Sequence, residues 1–178
     1  MKSKTETIAF GGGCFWCTEA VFELLKGVLK TTAGYAGGEK EDPGYEDVVS
    51  GGTGHVEVVE VEYNPDAIPF EKLLEVFFRM HNPTSMNKQG IADYGSEYMS
   101  AIFYTTQGQK ETITRFMKDE QKNYSKPIVT QARRLGKFYT AEDYHQKFYD
   151  KNPFNPYCIF VTGPEVAKIK REFKEYLR

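Results

Sequence analysis

The sequence predicts one α/β domain, with helices laid on an antiparallel or mixed sheet as a two-layer sandwich. Three observations predict it. Strand-like and helix-like segments follow one another through the 178 residues in the order β-α-β-β-α-β-α-β-α, with one adjacent strand pair near the middle. Residues 55–65 interleave Val56, Val58, Val61 and Tyr63 with Glu57, Glu60 and Glu62, the period of a half-buried strand. Behind Pro69, Phe70, Leu73, Leu74, Phe77 and Phe78 recur at the spacing of one helix face.

Taken in order, residues 5–10 (TETIAF) end apolar and meet three glycines, as a strand closing in a tight loop does. Phe15, Val21, Phe22, Leu24 and Leu25 suit an amphipathic helix that Gly27 stops. Residues 28–38 read as a strand entering a glycine-rich turn, and residues 39–54 as a polar loop. After the strand at 55–65 and the helix at 70–80 comes a long loop, residues 81–97, then a strand at 98–105. Residues 107–123 form a polar helix, 127–133 a strand, 141–151 a helix and 164–177 a terminal helix of mixed charge. Nothing repeats and no linker interrupts the chain, so residues 1–178 are expected to form a single domain, with Cys158 in a C-terminal segment of about 150–178.

Hydrophobic residues make up 40% and charged residues 27%, as in a soluble globular protein. A net charge of −2 and a pI near 6.0 offer no basic field for nucleic acid. No run of about 18 apolar residues is available to span a membrane. The N-terminal residues lack the apolar core of an export signal. Three cysteines cannot all pair within the chain, so they read as reduced thiols in a cytoplasmic protein.

The chemistry concentrates in GGGCFWCTEA, residues 11–20, which holds two of the three cysteines and the only tryptophan. Cys14 sits where a strand and a glycine turn give way to a helix, and backbone N–H groups there favour a thiolate. Phe15 and Trp16 place apolar walls beside the sulfur. The bland alternative for Cys14 is a buried small hydrophobe. Three chemical readings compete: a C-x-x-C redox pair of Cys14 and Cys17, half of a zinc site, or a lone Cys14 nucleophile resolved by another thiol. Zinc is the weakest, because no second C-x-x-C and no closely spaced histidine pair is present, and no metal is expected.

Six blocks then carry a resemblance: GGGCFWCTEAVF, GYAGG, YEDVVSGGTGHVEVVEVEYNP, FFRMHNPT, DYGSEYMSAIFY and FYTAEDYHQKFY. In this order they are similar to the peptide methionine sulfoxide reductase A family, from about residue 8 to residue 158. The resemblance implies reduction of methionine-S-sulfoxide, free or in proteins, on an α/β sandwich with a ferredoxin-like core. It implies no bound cofactor, and electrons from thioredoxin. It makes Cys14 the nucleophile, Phe15 and Trp16 the pocket for the substrate's S-methyl group, and Glu57 the catalytic acid. Tyr45, Asp93 and Tyr98 match the family's hydrogen-bonding residues.

The residue chemistry agrees with that cast. A thiolate attacks a sulfoxide slowly unless its oxygen is protonated or strongly hydrogen-bonded, and a carboxyl kept neutral by burial supplies the proton. Glu57 faces the opposite side of its strand from Val56 and Val58, although an acidic, solvated face of Glu57, Glu60 and Glu62 is the plainer alternative. The sulfenic acid left on Cys14 condenses with a second thiol. Cys158 aligns with a resolving cysteine near the C-terminus of many members and is favoured. Cys17, one helical turn from Cys14, is its rival, and a relay through both stays open. In those members the resolving cysteine lies in a mobile tail, whereas residues 159–178 read as an ordered strand and helix. His55, His81 and His145 read as hydrogen-bonded structural residues. Asn82 stands where aspartate is usual, Met99 where arginine is frequent, and the loop before Asp93 is one residue longer than the common form. Two other classes remain open: a thioredoxin-like disulfide oxidoreductase, and a module that binds oxidised methionine without turning it over. The chain is expected to act as a monomer.

Overall fold

The computed structural model describes residues 4–178. In chain order its elements begin with β1 (Glu6–Gly11), α1 (Phe15–Glu23), β2 (Val28–Ala36), α2 (Tyr45–Val49), β3 (Val56–Tyr63) and α3 (Phe70–Met80). The two-residue strands β4 (Lys88–Gln89) and β5 (Asp93–Tyr94) pair with each other, and β6 (Ala101–Tyr104) and α4 (Gln107–Glu120) follow. The chain ends with β7 (Gln131–Arg134), β8 (Phe138–Thr140), α5 (Phe148–Lys151) and α6 (Gly163–Glu172).

Six strands form one mixed sheet in the order β7-β6-β1-β3-β2-β8. Every neighbouring pair is antiparallel except β6 and β7, which run parallel. The register sets which side chains share a face: Phe10 pairs with Val59, Ala33 with Val59 from the other side, and Tyr35 with Glu57. Ile8, Phe10, Ala33, Tyr35, Val59, Val61 and Tyr63 therefore meet Val21 and Phe22 of α1, Leu73, Leu74 and Phe77 of α3, and Val166 and Ile169 of α6 in one core. Phe10 stacks on Phe22 at 4.7 Å between ring centres and lies 4.9 Å from Phe77, and burying each such ring contributes about 1.5–3 kcal/mol. The opposite face carries a smaller cluster of Ala9, Ala36, Val56, Val58, Ala101 and Phe103 under Met99, Leu135 and Phe138. Among the described residues no helix is long and apolar enough to cross a membrane.

Four local expectations are corrected. The polar loop at 39–54 holds α2, which starts because the Asp47 carboxylate accepts the Gly44 N–H at 2.9 Å. The long loop at 81–97 folds back on itself through β4 and β5. Residues 141–151 are not one helix. The Gln146 side chain bonds Ala33 N and O, both at 2.9 Å, and Lys147 turns left-handed at φ 53°. The same stretch adds β8 just before it, an edge strand that exists through its pairing of Tyr139 with Tyr35. Last, Cys158–Thr162 is a π-helical turn running into α6 rather than a strand, and α6 ends at Glu172.

Candidate active site

β1 stops at Gly11, and two glycines carry the chain into α1. Gly13 has φ +94°, and a Cβ there would sit 3.1 Å from Asp93 Oδ2 and 3.0 Å from Gln89 Cβ. Cys14 is the N-cap of α1 with an extended backbone, φ −61° and ψ 130°. Its own N–H donates to Asp93 Oδ2 at 3.0 Å, and the Phe15 N–H donates to Glu57 Oε2 at 3.1 Å. Two of the helix's free amide donors are thus taken by carboxyl groups from β5 and β3. This changes the electrostatics expected at Cys14. Burial first, then Glu57, Cys17 and Asp93, push the thiol well above its ordinary pKa, and a hydrogen bond from the Trp16 backbone only partly opposes them. The resting sulfur is a protonated thiol.

One side of Cys14 opens into a pocket of about 190 Å³ lined by Phe15, Trp16, Tyr45, Glu57, Ala92, Asp93, Tyr98 and Tyr157. With Cys14 it gathers the seven residues expected as nucleophile, acid, methyl pocket and hydrogen-bonding groups, and neither Cys17 nor Cys158 lines it. Glu57 is 1% exposed, and burial, with help from Asp93 and Glu97, pushes its carboxyl up to about 8 against the pull of the Phe15 N–H. At neutral pH it is a carboxylic acid. Register explains why: Glu57 points to the helix side of the sheet, whereas Glu60 and Glu62 point to the other, so the acidic run is split between two environments. Burial pushes the Tyr45 phenol up to about 12 and the Tyr98 phenol higher still, so both stay neutral donors. Trp16 stacks on Phe148 at 3.6 Å between ring centres and meets Tyr157 edge-on at 5.6 Å. A thiol, a neutral carboxylic acid and two phenols around an aromatic slot suit a small ligand with one apolar group and one strongly accepting oxygen.

A second cavity of about 220 Å³ touches Cys14 from the other side and is lined by Cys17, Asp93, His81, Arg79, Glu165 and Lys168, among others. Cys17 is buried, with Sγ 3.2 Å from Thr162 Oγ1 and 3.8 Å from the Tyr157 hydroxyl. That hydroxyl donates to Asp93 at 2.9 and 3.0 Å, so Tyr157 ties the two cysteine surroundings together. Cys158 is also buried, 1% exposed in the π-helical turn, and only burial raises its pKa, whereas Cys17 acts on Cys14 and Asp93 acts on both.

The three histidines are hydrogen-bonded. His55 accepts the Gly38 N–H at 3.1 Å and reaches Lys40 O at 2.8 Å. His81 bridges Phe77 O and Ser100 Oγ, both at 2.6 Å. His145 does more: its Nδ1 accepts the Trp16 indole N–H at 3.0 Å, which fixes the slope of the pocket wall. Asn82 makes an Asx turn with Thr84, and its N–H donates to Gln89 Oε1 at 2.9 Å, so it shapes the loop that delivers Asp93. Met99 covers the small apolar cluster on the far face. Tyr157 and Glu165 were not singled out from the sequence, since nothing in their spacing joins them to residues more than 60 positions away.

A model of the peptide methionine sulfoxide reductase family matches residues 6–177. The peptide methionine sulfoxide reductase MsrA of Natronomonas pharaonis is 47% identical over 173 residues, covering 96% of this chain and 97% of its own. The reduced form of Mxr1 from Saccharomyces cerevisiae superposes with a TM-score of 0.83 at 33% identity, over 91% of this chain and 92% of that one. Mxr1 in complex with Trx2 superposes with a TM-score of 0.60 at 25% identity, over 83% and 87% of the two chains.

Proposed function

The chain belongs to the peptide methionine sulfoxide reductase family, and on that premise we propose how its residues reduce methionine-S-sulfoxide, free or in proteins. The observation that carries the reading is Glu57: a carboxyl group kept neutral by burial, bonded to the backbone beside the nucleophile and opening on an aromatic slot.

The substrate's S-methyl group enters between Phe15 and Trp16. Its oxygen meets the Glu57 acid and the Tyr45 and Tyr98 hydroxyls, which stabilise charge building there as the S–O bond weakens. Glu57 gives its proton to that oxygen and regains one from the Cys14 thiol, whose sulfur attacks the substrate sulfur. The oxygen passes to Cys14 carrying the Glu57 proton, methionine leaves, and the thiol proton ends on Glu57, so the step balances. Asp93 holds the Cys14 amide and aims the sulfur. A second thiol then condenses with the sulfenic acid and expels water.

Cys17 is the resolving thiol in this reading. The extended backbone at Cys14 places it outside the helical turn, which relieves the strain a bridge within a helix would carry. Cys158, held in its buried turn, is the acceptor of a relay from Cys17, next to which Tyr157 anchors it. Thioredoxin returns the disulfide to thiols by exchange, as the Trx2 complex of the similar Mxr1 supports. No bound cofactor takes part. The order β6-β1-β3-β2, with helices on one face, supports a two-layer sandwich around a ferredoxin-like core. We take residues 1–178 as one catalytic domain, acting as a cytoplasmic monomer.

Thiol trapping and mass spectrometry after excess methionine-S-sulfoxide, with no external reductant, test the scheme. Methionine release and a mapped Cys14–Cys17 bridge are expected. No methionine, with all three thiols still reduced, would overturn it.

A further inference from the structure

We propose that Glu165 is the proton acceptor for Cys17 in the recycling half of the reaction. The inference rests on the reading that Cys17 resolves the sulfenic acid.

Cys14 lies between two cavities of different chemistry. The aromatic pocket holds Glu57 and the tyrosines, whereas the second holds the Cys17 side of the C-x-x-C pair. A thiol must lose its proton to attack, and Cys17 is buried. Its S–H faces the Thr162 and Tyr157 hydroxyls, at 3.2 and 3.8 Å from the sulfur, and the carboxyl of Glu165, three residues beyond Thr162 on α6, lines the same cavity. Of these only the carboxyl can take the proton as a base. Tyr157 already donates to Asp93, and burial pushes its phenol far above the neutral range.

The other charged and titratable groups facing this cavity are engaged elsewhere. Asp93 accepts from Cys14 N and Tyr157. His81 holds Phe77 O and Ser100, and burial lowers it to about 4. Arg79 pairs with Glu172, and Lys168 donates to Arg79 O at 2.8 Å. Burial pushes the Glu165 carboxyl up to about 7, with Cys17 and Lys168 pulling the other way. Glu165 in turn raises the Cys17 thiol. The pair therefore carries one negative charge at a time, which is what a proton transfer between them requires.

In the step itself, Cys17 passes its proton to Glu165 and its sulfur attacks the Cys14 sulfur. The S–S bond forms as the S–OH bond breaks, and the hydroxyl takes the Glu57 proton and leaves as water. Cys17 is oxidised and the Cys14 sulfur is reduced. Glu165 then releases its proton to solvent and Glu57 regains one.

Rapid quenching of a single turnover with methionine-S-sulfoxide separates the two halves, reading methionine for the first and Cys17 thiol trapping for the second. In Glu165→Gln the methionine burst is expected at the parent rate, while Cys17 loss slows by about 10²-fold. The parent's rise of the second step with pH, centred near 7, should vanish in the variant. Glu165→Asp should recover part of the rate. An unchanged second step, or equal slowing of both steps, would overturn the role of Glu165. A parent disulfide mapped to Cys14–Cys158 would overturn it through the resolver, leaving the reductase reading intact. A parent that forms no methionine would overturn the reductase reading itself.

Discussion

Glu57 is a buried acid with a backbone N–H partner and, among the described residues, no cation beside it, an arrangement that costs stability. Its folded pKa of about 8 lies above the 4.5 of an ordinary glutamate, so between those values the folded state holds a proton that the unfolded chain has released. Stability contributed below pH 4.5 is therefore lost as pH rises through about 8. Glu57→Gln keeps the neutral shape and removes the titration. It should be more stable to unfolding than the parent, by a margin that widens from pH 5 to pH 8 and approaches about 4 kcal/mol. The same variant should form methionine about 10²–10⁴-fold more slowly, and the parent's rate of methionine formation should fall as pH rises through about 8. Retained sulfoxide reduction in Glu57→Gln would return the chain to the class of simple dithiol exchangers. Single residues were legible where chemistry ran along the chain: Cys14, Phe15 and Trp16 are contiguous, and strand parity alone separates Glu57 from Val56. Tyr157 and Glu165 were not, because they reach the cysteines only through the packing of the C-terminal turn on α1.

At the scale of elements, α1 carries more than the nucleophile, because it also straps down the stretch after β8. Trp16 bonds His145, Glu19 accepts the Lys147 N–H at 2.8 Å, and Lys147 Nζ pairs with Glu23 at 3.2 Å. Glu19 also accepts from Thr31 on β2 at 3.2 Å. These bonds hold the left-handed Lys147 that breaks the helix expected at 141–151. Local propensity favoured that helix, and contacts more than 100 residues away in sequence overrode it. By contrast β3 and α3 were legible, because their periodicity is itself the burial pattern that the sheet and core demand. Glu19→Ala leaves the part-buried Lys147 N–H without its partner, while the Thr31 hydroxyl keeps Glu23, and should cost about 1–3 kcal/mol in urea unfolding. Trp16 is the only tryptophan, so its fluorescence reads the strap directly. The emission should shift to the red as Phe148 and His145 loosen from the indole, and KM should rise more than kcat falls. Unchanged emission with full loss of stability would place the effect on β2 instead.

Over the whole molecule, the site draws on the segments around residues 14–17, 45, 57, 93–98, 145 and 157–165, and what holds them together is the closure of the C-terminal segment on α1. The alternation of strands and helices announced the sheet and its helical layer. It could not announce that the chain after α6 abandons its helix at Phe173, because the cause is the exposed end of α1. There the Lys26 N–H donates to Tyr176 O at 2.8 Å, the Arg178 N–H donates to Leu24 O at 2.9 Å, and Leu25 bridges Leu177. The Arg178 guanidinium adds a bond to Val28 O, and Lys72 lies over the Tyr176 ring at 4.8 Å. Each backbone bond is worth about 1 kcal/mol net, and the orphaned carbonyls of α1 would otherwise meet only water. Removing residues 174–178 should therefore lower unfolding stability by about 2–4 kcal/mol. None of those five residues lines either cavity at Cys14, so methionine release in a single turnover should keep its rate below the melting range. A truncated chain that stays folded by circular dichroism yet loses the methionine burst would show that the clasp reaches the nucleophile through α1. In that case the helix start would be set by both of its ends, and not by Asp93 and Glu57 alone.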